Sequence, residues 1–237
     1  MHQRILALSS SRTGNGAYLE SAAPVIDQFL STNNKAINIA FVPFAAVDND
    51  YETYTGKVRA ALNTTYNIIT VTHDNAIAVI DAADAIMIGG GNTFKLLHDL
   101  YATKALALIK QKVNNGTPYI GWSAGSNITG ATICTTNDMP IINPGSFEAL
   151  GFFPFQINPH YYNVSIAGFN GETRDQRLQE FLMLNPTVPI VALPEGTALL
   201  LQNGRLQLNG SSAAFILTNE NNTFTKKEID PGEDISF

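Results

Sequence analysis

Through the first half of the chain, short apolar runs alternate with longer stretches in which apolar residues recur every three or four positions. Arg4–Leu8, Ile37–Val42, Ile68–Thr72, Ala85–Ile88 and a run opening at Tyr119 read as strands. Between them, helical spacing is predicted over Tyr18–Leu30, Tyr51–Leu62, Asn75–Ala83 and from Phe94 to about Val113. In the first of these helices Leu19, Ala22, Ala23, Ile26 and Phe29 share one face. The strands are brief and apolar on both faces, which predicts a mostly parallel sheet with helices on both sides and right-handed crossovers.

The second half is less regular. Thr132–Phe155 carries Pro140, Pro144 and Pro154 and reads as loops with short strands, and Glu172–Leu184 reads as a charged amphipathic helix. Ile190–Leu193, Ala198–Leu201, Arg205–Leu208 and Ala213–Leu217 read as strands, with Asn203-Gly204 as a hairpin turn. No repeat, linker or low-complexity tract divides residues 1–237, so a single α/β domain is expected.

Composition narrows the function classes. Apolar residues make up 45% of the 237 and charged ones only 14%, against the roughly 25% usual for soluble domains. Such a chain can bury a full core, which excludes disorder. Fourteen Lys+Arg against 20 Asp+Glu give a net charge of −6, a poor balance for nucleic acid or an anionic membrane. Cys134 is the one cysteine, so neither a disulfide framework nor a cysteine zinc site is available. The histidines are isolated and no metal motif occurs, so no metal and no cofactor are expected. The N-terminal apolar run ends at Leu8, too short for a signal-peptide core, and the expectation is a cytoplasmic protein.

In open parallel sheets, ligands bind beyond the carboxyl ends of the strands. The segments that follow the predicted strands include Ser9-Ser10-Ser11-Arg12, Pro43-Phe44-Ala45, Gly89-Gly90-Gly91-Asn92 and Gly121-Trp122-Ser123-Ala124-Gly125. The last matches G-x-S-x-G, the strand-to-helix bend that exposes a nucleophilic serine. A tight turn there aims the Ala124 amide at a developing oxyanion. A chance Gly-Ser-Gly turn gives the same letters, and position after an apolar strand favours the catalytic reading. Neither a P-loop nor a dinucleotide fingerprint fits: no Gly-Lys-Ser/Thr follows Gly91, and Leu19 stands where the third Gly after Gly14 and Gly16 belongs. The glycine run at 89–91 is then a source of a second oxyanion donor from its backbone amides, with Asn92 as helix cap.

A serine nucleophile needs a base. The four histidines are His2, His73, His98 and His160. His73 at a strand end and His160, in the loop Asn158-Pro159-His160, are the candidates, though a loop histidine such as His160 can also serve only as a hydrogen-bonded side chain. The acid that orients the base is Glu195, in Leu193-Pro194-Glu195-Gly196, or Asp138, in Thr136-Asn137-Asp138-Met139-Pro140. Spacing does not choose between them, and capping a turn is the commoner use of such an Asp.

These segments together resemble peptidase E, the aspartyl dipeptidase family of serine peptidases. The resemblance runs from Leu6 to about Gly204 and rests on Phe41–Ala45, Gly89–Phe94, Tyr119–Gly125, Thr135–Ile141, Gln156–His160, Gly171–Arg177 and Leu193–Gly196. It implies a metal-independent cytoplasmic enzyme that cleaves dipeptides with N-terminal aspartate. It maps a Ser-His-Glu triad onto Ser123, His160 and Glu195, with Asp138 kept as a rival relay residue. It also points to Arg174 as the group that binds the substrate aspartate, a role suited to a guanidinium fork. Gly91 and Ala124 are the expected oxyanion donors. The implied fold resembles the glutamine-amidotransferase sheet, where nucleophile, His and Glu occur in that order. An α/β-hydrolase would run Ser, acid, His, the order that Asp138 would restore. Ser126 departs from the family, which usually has Ala there. The expected partners are small Asp-X peptides, with the chain a monomer or homodimer. Two alternatives remain: a cyanophycinase-like β-aspartyl peptidase and a non-catalytic binding protein on the same scaffold.

Overall fold

The computed structural model describes residues 3–30, 36–164, 168, 170–221 and 223–237. In chain order the elements are β1 (Ile5–Leu8), α1 (Ala23–Leu30), β2 (Ile37–Val42), α2 (Tyr51–Ala61), β3 (Tyr66–Thr70), α3 (Ala76–Ala82), β4 (Ala85–Ile88), α4 (Thr93–Ala102), α5 (Ala105–Asn114), β5 (Tyr119–Trp122) and α6 (Ala124–Asn127). There follow β6 (Gln156–Asn158), α7 (Arg174–Leu184), β7 (Ile190–Ala192), β8 (Thr197–Gln202), β9 (Arg205–Gly210), β10 (Ala214–Glu220) and β11 (Thr223–Ile229).

Seven strands form the main sheet in the order β3-β2-β4-β5-β1-β8-β9. The first five are parallel, and β8 and β9 add antiparallel at the β1 edge. Every residue of β1, β4 and β5 is buried, as strands covered on both faces require. This is the mixed α/β, mostly parallel architecture expected. A second sheet, β11-β10-β7-β6, was not anticipated as a separate layer.

One face of the main sheet packs against α1 and α2 through Leu6, Leu8, Ile26, Phe29, Phe41, Val58 and Trp122. The other face shares its core with α3–α5 and with the second sheet: Ile5, Val42, Ile86 and Ile109 join Phe155, Ile157, Val191 and Ile216. That common core welds the two sheets. Leu178 and Leu182 of α7 pack on the far side of the second sheet, against Tyr161, Ile190 and Leu217.

Two differences from the sequence reading have physical causes. The helix expected to run unbroken from Phe94 to Val113 is two helices, because Lys104 takes a left-handed φ of 59° and redirects the chain. The apolar spacing continues through the break, so periodicity alone hides it. In Tyr18–Leu30, regular helix begins only at Ala23, after turns that include Leu19 at φ 56°.

Where α4 meets the ends of β2 and β3, the carboxylate of Asp99 is buried with Lys95. Lys95 Nζ donates to Asp99 Oδ2 (2.7 Å), to the Tyr51 hydroxyl (3.0 Å) and to the Phe44 carbonyl (3.0 Å). His98 Nδ1 lies 2.9 Å from Asp99 Oδ1, and His73 Nε2 lies 3.3 Å from Asp99 Oδ2. Burial pushes the Asp99 carboxyl upward, but hydrogen bonds from Lys95 and His98 outweigh it and hold the pKa below its ordinary value. Burial opposes the Lys95 charge, and contacts with Asp99 and Tyr51 raise that pKa despite it. A depressed carboxyl stabilises the fold above its unfolded pKa and loses that contribution as pH falls through the folded one. Asp99→Asn leaves the Lys95 charge without its counter-ion and is expected to cost about 3–5 kcal/mol at pH 7. The gap between variant and wild type should narrow on acidification to about pH 3. Urea unfolding of both proteins at the two pH values checks it.

Candidate active site

The site is assembled from segments far apart in sequence. Ser123 sits between β5 and α6 with φ 54° and ψ −113°, a conformation costly for a residue with a Cβ. The bend holds because its flanks can touch. A Cβ at Gly121 would overlap the carbonyl oxygen of Gly125, and one at Gly125 would overlap that of Ile88 in β4. The Ser123 amide donates to the Leu8 carbonyl of β1 at 3.2 Å. The outlier is fixed from three sides.

His160 follows β6 and also has a left-handed φ, 52°. Its Nε2 lies 2.9 Å from Ser123 Oγ, and its Nδ1 lies 2.9 Å from Glu195 Oε1. The tautomer that satisfies both contacts carries its proton on Nδ1, donates it to the carboxylate and leaves Nε2 to accept from the serine. Glu195 lies in the link from β7 to β8. Ser9, just beyond β1, ties these strand ends together: its hydroxyl accepts from the His160 amide (2.9 Å) and donates to the Leu193 carbonyl (2.7 Å). The side chains of His160 and Glu195 remain 40% and 50% exposed, so the relay faces a space that substrate can enter.

Asp138 is elsewhere. Its Oδ2 accepts from the Thr93 amide (2.7 Å), from the Thr93 hydroxyl (2.6 Å) and from Thr136 Oγ1 (3.2 Å). It therefore caps the first turn of α4, and it is Glu195 that touches the imidazole. The reading of Asp138 as relay residue is corrected on this geometry. Cap and relay were inseparable in sequence because both put an Asp before a proline-bearing loop. His73 and His98, weighed as bases, both turn onto Asp99, and His2 lies outside the described residues.

The Gly91 and Ala124 amides border the nucleophile. Gly91 has φ 136°, and a Cβ there would strike the Ala45 carbonyl, so the loop after β4 lies close to the one after β2. Among the described residues its amide has no acceptor. Ala124 opens α6, so its amide has no partner within the helix. The hydroxyl of Ser126 points away from the site, with one proton to donate to the Leu8 carbonyl (2.6 Å) or the Gly121 carbonyl (2.9 Å). It braces β1 against β5 and offers nothing to substrate.

Arg174 opens α7, and its Nη1 donates to Asn158 Oδ1 at 3.2 Å. Asn158 lies two residues before His160, and its amide is held by Thr135 and Asn137 at 2.8 Å each. Burial lowers the Arg174 pKa, and the charge of Arg177 lowers it further. Among the described residues no carboxylate pairs with it. A half-buried guanidinium held by one neutral amide is suited to an incoming anion.

Among the described residues no group of three or more His, Cys, Asp or Glu side chains could hold a metal ion, and no helix is long and apolar enough to cross a membrane. The geometry has the parts of a covalent hydrolase: a hydroxyl on a strained bend, an imidazole on it, a carboxylate behind, and free amides alongside. The comparison with known proteins agrees at the level of class. Residues 5–209 match peptidase family S51, and the chain belongs to that family of peptide-bond hydrolases. It is 48% identical over 217 residues to peptidase E of Haemophilus influenzae, spanning 91% of this chain and 99% of that one. It is 45% identical over 238 residues to peptidase E of Shewanella amazonensis, spanning 100% and 99%. Among solved structures, a peptidase from an acI-B1 actinobacterium shares the fold with a TM-score of 0.73 at 20% identity, covering 100% of this chain and 98% of the other. A putative peptidase E from Listeria monocytogenes EGD-e gives 0.65 at 22% identity, over 90% of this chain and 100% of that one.

Proposed function

We propose that this chain is a serine-type dipeptidase that hydrolyses Asp-X. The observation that carries the reading is the unbroken contact from Ser123 Oγ through His160 to Glu195, with each link at 2.9 Å. Ser123 attacks the scissile carbonyl while His160 Nε2 takes its proton. The amides of Gly91 and Ala124 receive the oxyanion. The imidazolium, steadied by Glu195, then protonates the departing amine, and water releases the aspartyl group by the same steps in reverse order. Arg174 takes the substrate's aspartate side chain. No step needs a metal or cofactor. The working state is a single catalytic unit of residues 1–237, monomeric or homodimeric, acting on small peptides in the cytoplasm, with no nucleic-acid or membrane partner.

Purified protein offered Asp-Leu, Ala-Leu and a β-aspartyl dipeptide, with and without chelator, tests this. Cleavage of Asp-Leu alone, unaffected by chelator, is the expected result. Preference for the β-aspartyl substrate replaces the reading with a cyanophycinase-like one, and no turnover replaces it with a binding protein. Arg174→Ala is expected to lower kcat/KM for Asp-Leu by about 10²- to 10³-fold while Ala-Leu changes little, since a buried charge pair loses one partner. Retained discrimination between the two dipeptides would remove Arg174 from the account.

A further inference from the structure

A cavity of about 420 Å³ opens beside Ser123 and His160, on the α1–α2 face of the main sheet. Arg174 does not line it. That residue leads α7, which packs on the second sheet, beyond the opposite face of the main sheet. The nucleophile therefore stands between two separate recognition regions, and a peptide bond has two sides.

The cavity contains two cations, Arg12 from the loop after β1 and Lys57 from α2. Both are exposed, and among the described residues neither forms an ion pair. Two carboxylates, Asp48 and Asp50, line the same space, but each is turned onto backbone. Asp48 Oδ1 accepts from the Asp50 amide (3.1 Å), and Asp50 Oδ1 caps α2 at the Thr53 amide (3.2 Å). In a chain of net charge −6, Arg12 and Lys57 offset Asp48 and Asp50 and make the cavity locally neutral, and among the described residues neither cation is tied to a carboxylate by direct contact. Tyr18, Tyr54 and Trp122 give the same cavity an aromatic lining. Tyr54 donates to the Gly90 carbonyl (3.0 Å) and accepts from Trp122 Nε1 (3.2 Å), which anchors that lining to the glycine loop. Tyr54 and Lys57 are three residues apart on α2 and share a face.

Resting on the dipeptidase reading above, we propose that Arg12 and Lys57 bind the C-terminal carboxylate of the leaving residue. The aromatic lining carries that residue's side chain. On this reading Arg174 and the cation pair bracket the scissile bond, one holding the aspartate side chain and the other the terminal carboxylate. A longer peptide would present a neutral amide where the site offers two positive charges.

The test compares Asp-Leu with Asp-Leu-amide, which differ only in the terminal charge. Wild type is expected to favour the free carboxylate by about 10- to 100-fold in kcat/KM, and the preference should shrink as salt rises. In the double variant Arg12→Ala/Lys57→Ala the ratio between the two substrates should collapse to within about threefold, through a raised KM for Asp-Leu. Arg12→Lys should keep most of the preference. Equal wild-type turnover of the two substrates overturns the inference and leaves the dipeptidase reading standing. So does a double variant that loses both substrates in proportion. Failure of wild type to cleave either peptide overturns the dipeptidase reading and this inference with it.

Discussion

Ser123→Ala is expected to lower kcat for Asp-Leu by about 10⁴- to 10⁶-fold, because loss of the nucleophile in a cooperating triad costs nearly as much as losing the whole unit. The substrate sites are untouched by the change, so the variant should still bind. Isothermal titration with Asp-Leu should give a dissociation constant within a few-fold of that for an uncleavable analogue on the wild type. The fold should not suffer, since among the described residues the hydroxyl's one hydrogen-bond partner is His160. The backbone strain at φ 54° persists in alanine. Residual activity within tenfold of wild type would mean that another group attacks the carbonyl.

The second large effect separates the two acids. Glu195→Gln keeps the size of the side chain, but its amide can present a donor to Nδ1 and favour the wrong tautomer. A fall in kcat of about 10³- to 10⁴-fold follows from that loss of orientation. Asp138→Asn should leave kcat within about tenfold. Its cost falls on the fold, because an amide carries no charge for the first turn of α4 and cannot accept as strongly from Thr93. About 1–2 kcal/mol is the scale for such a cap. Steady-state kinetics beside thermal melts for both variants give a crossed pattern: one slow and stable, the other active and less stable. The reverse pattern would return the relay role to Asp138.

The parallel half of the main sheet was legible because its evidence is local. Four-residue strands such as Ala85–Ile88 are apolar on both faces, and the helices between them show regular spacing. The bend at Ser123 was legible for a similar reason: Gly121 and Gly125 are there because neighbouring backbone leaves no room for a side chain. The second sheet was not legible as a layer. Two of its strands, β6 and β7, are only three residues long, and β11 is largely exposed with charged residues at Lys226, Lys227 and Glu228. None of these has an apolar period of its own. Which acid meets His160 depends on how the β7–β8 link crosses to the main sheet, a long-range fact absent from spacing. The cation pair was hidden for the same reason. Arg12 and Lys57 lie on different elements, and no sequence spacing joins them.

The nucleophile comes from the middle of the chain, but its base and the base's carboxylate come from strands laid down later, on a different sheet. A chain cut before residue 195 lacks the carboxylate that contacts His160 and so has no complete relay. The same dependence makes docking of the second layer a single checkpoint. A change that shifts the second sheet against the main one also shifts His160 and Glu195 relative to Ser123.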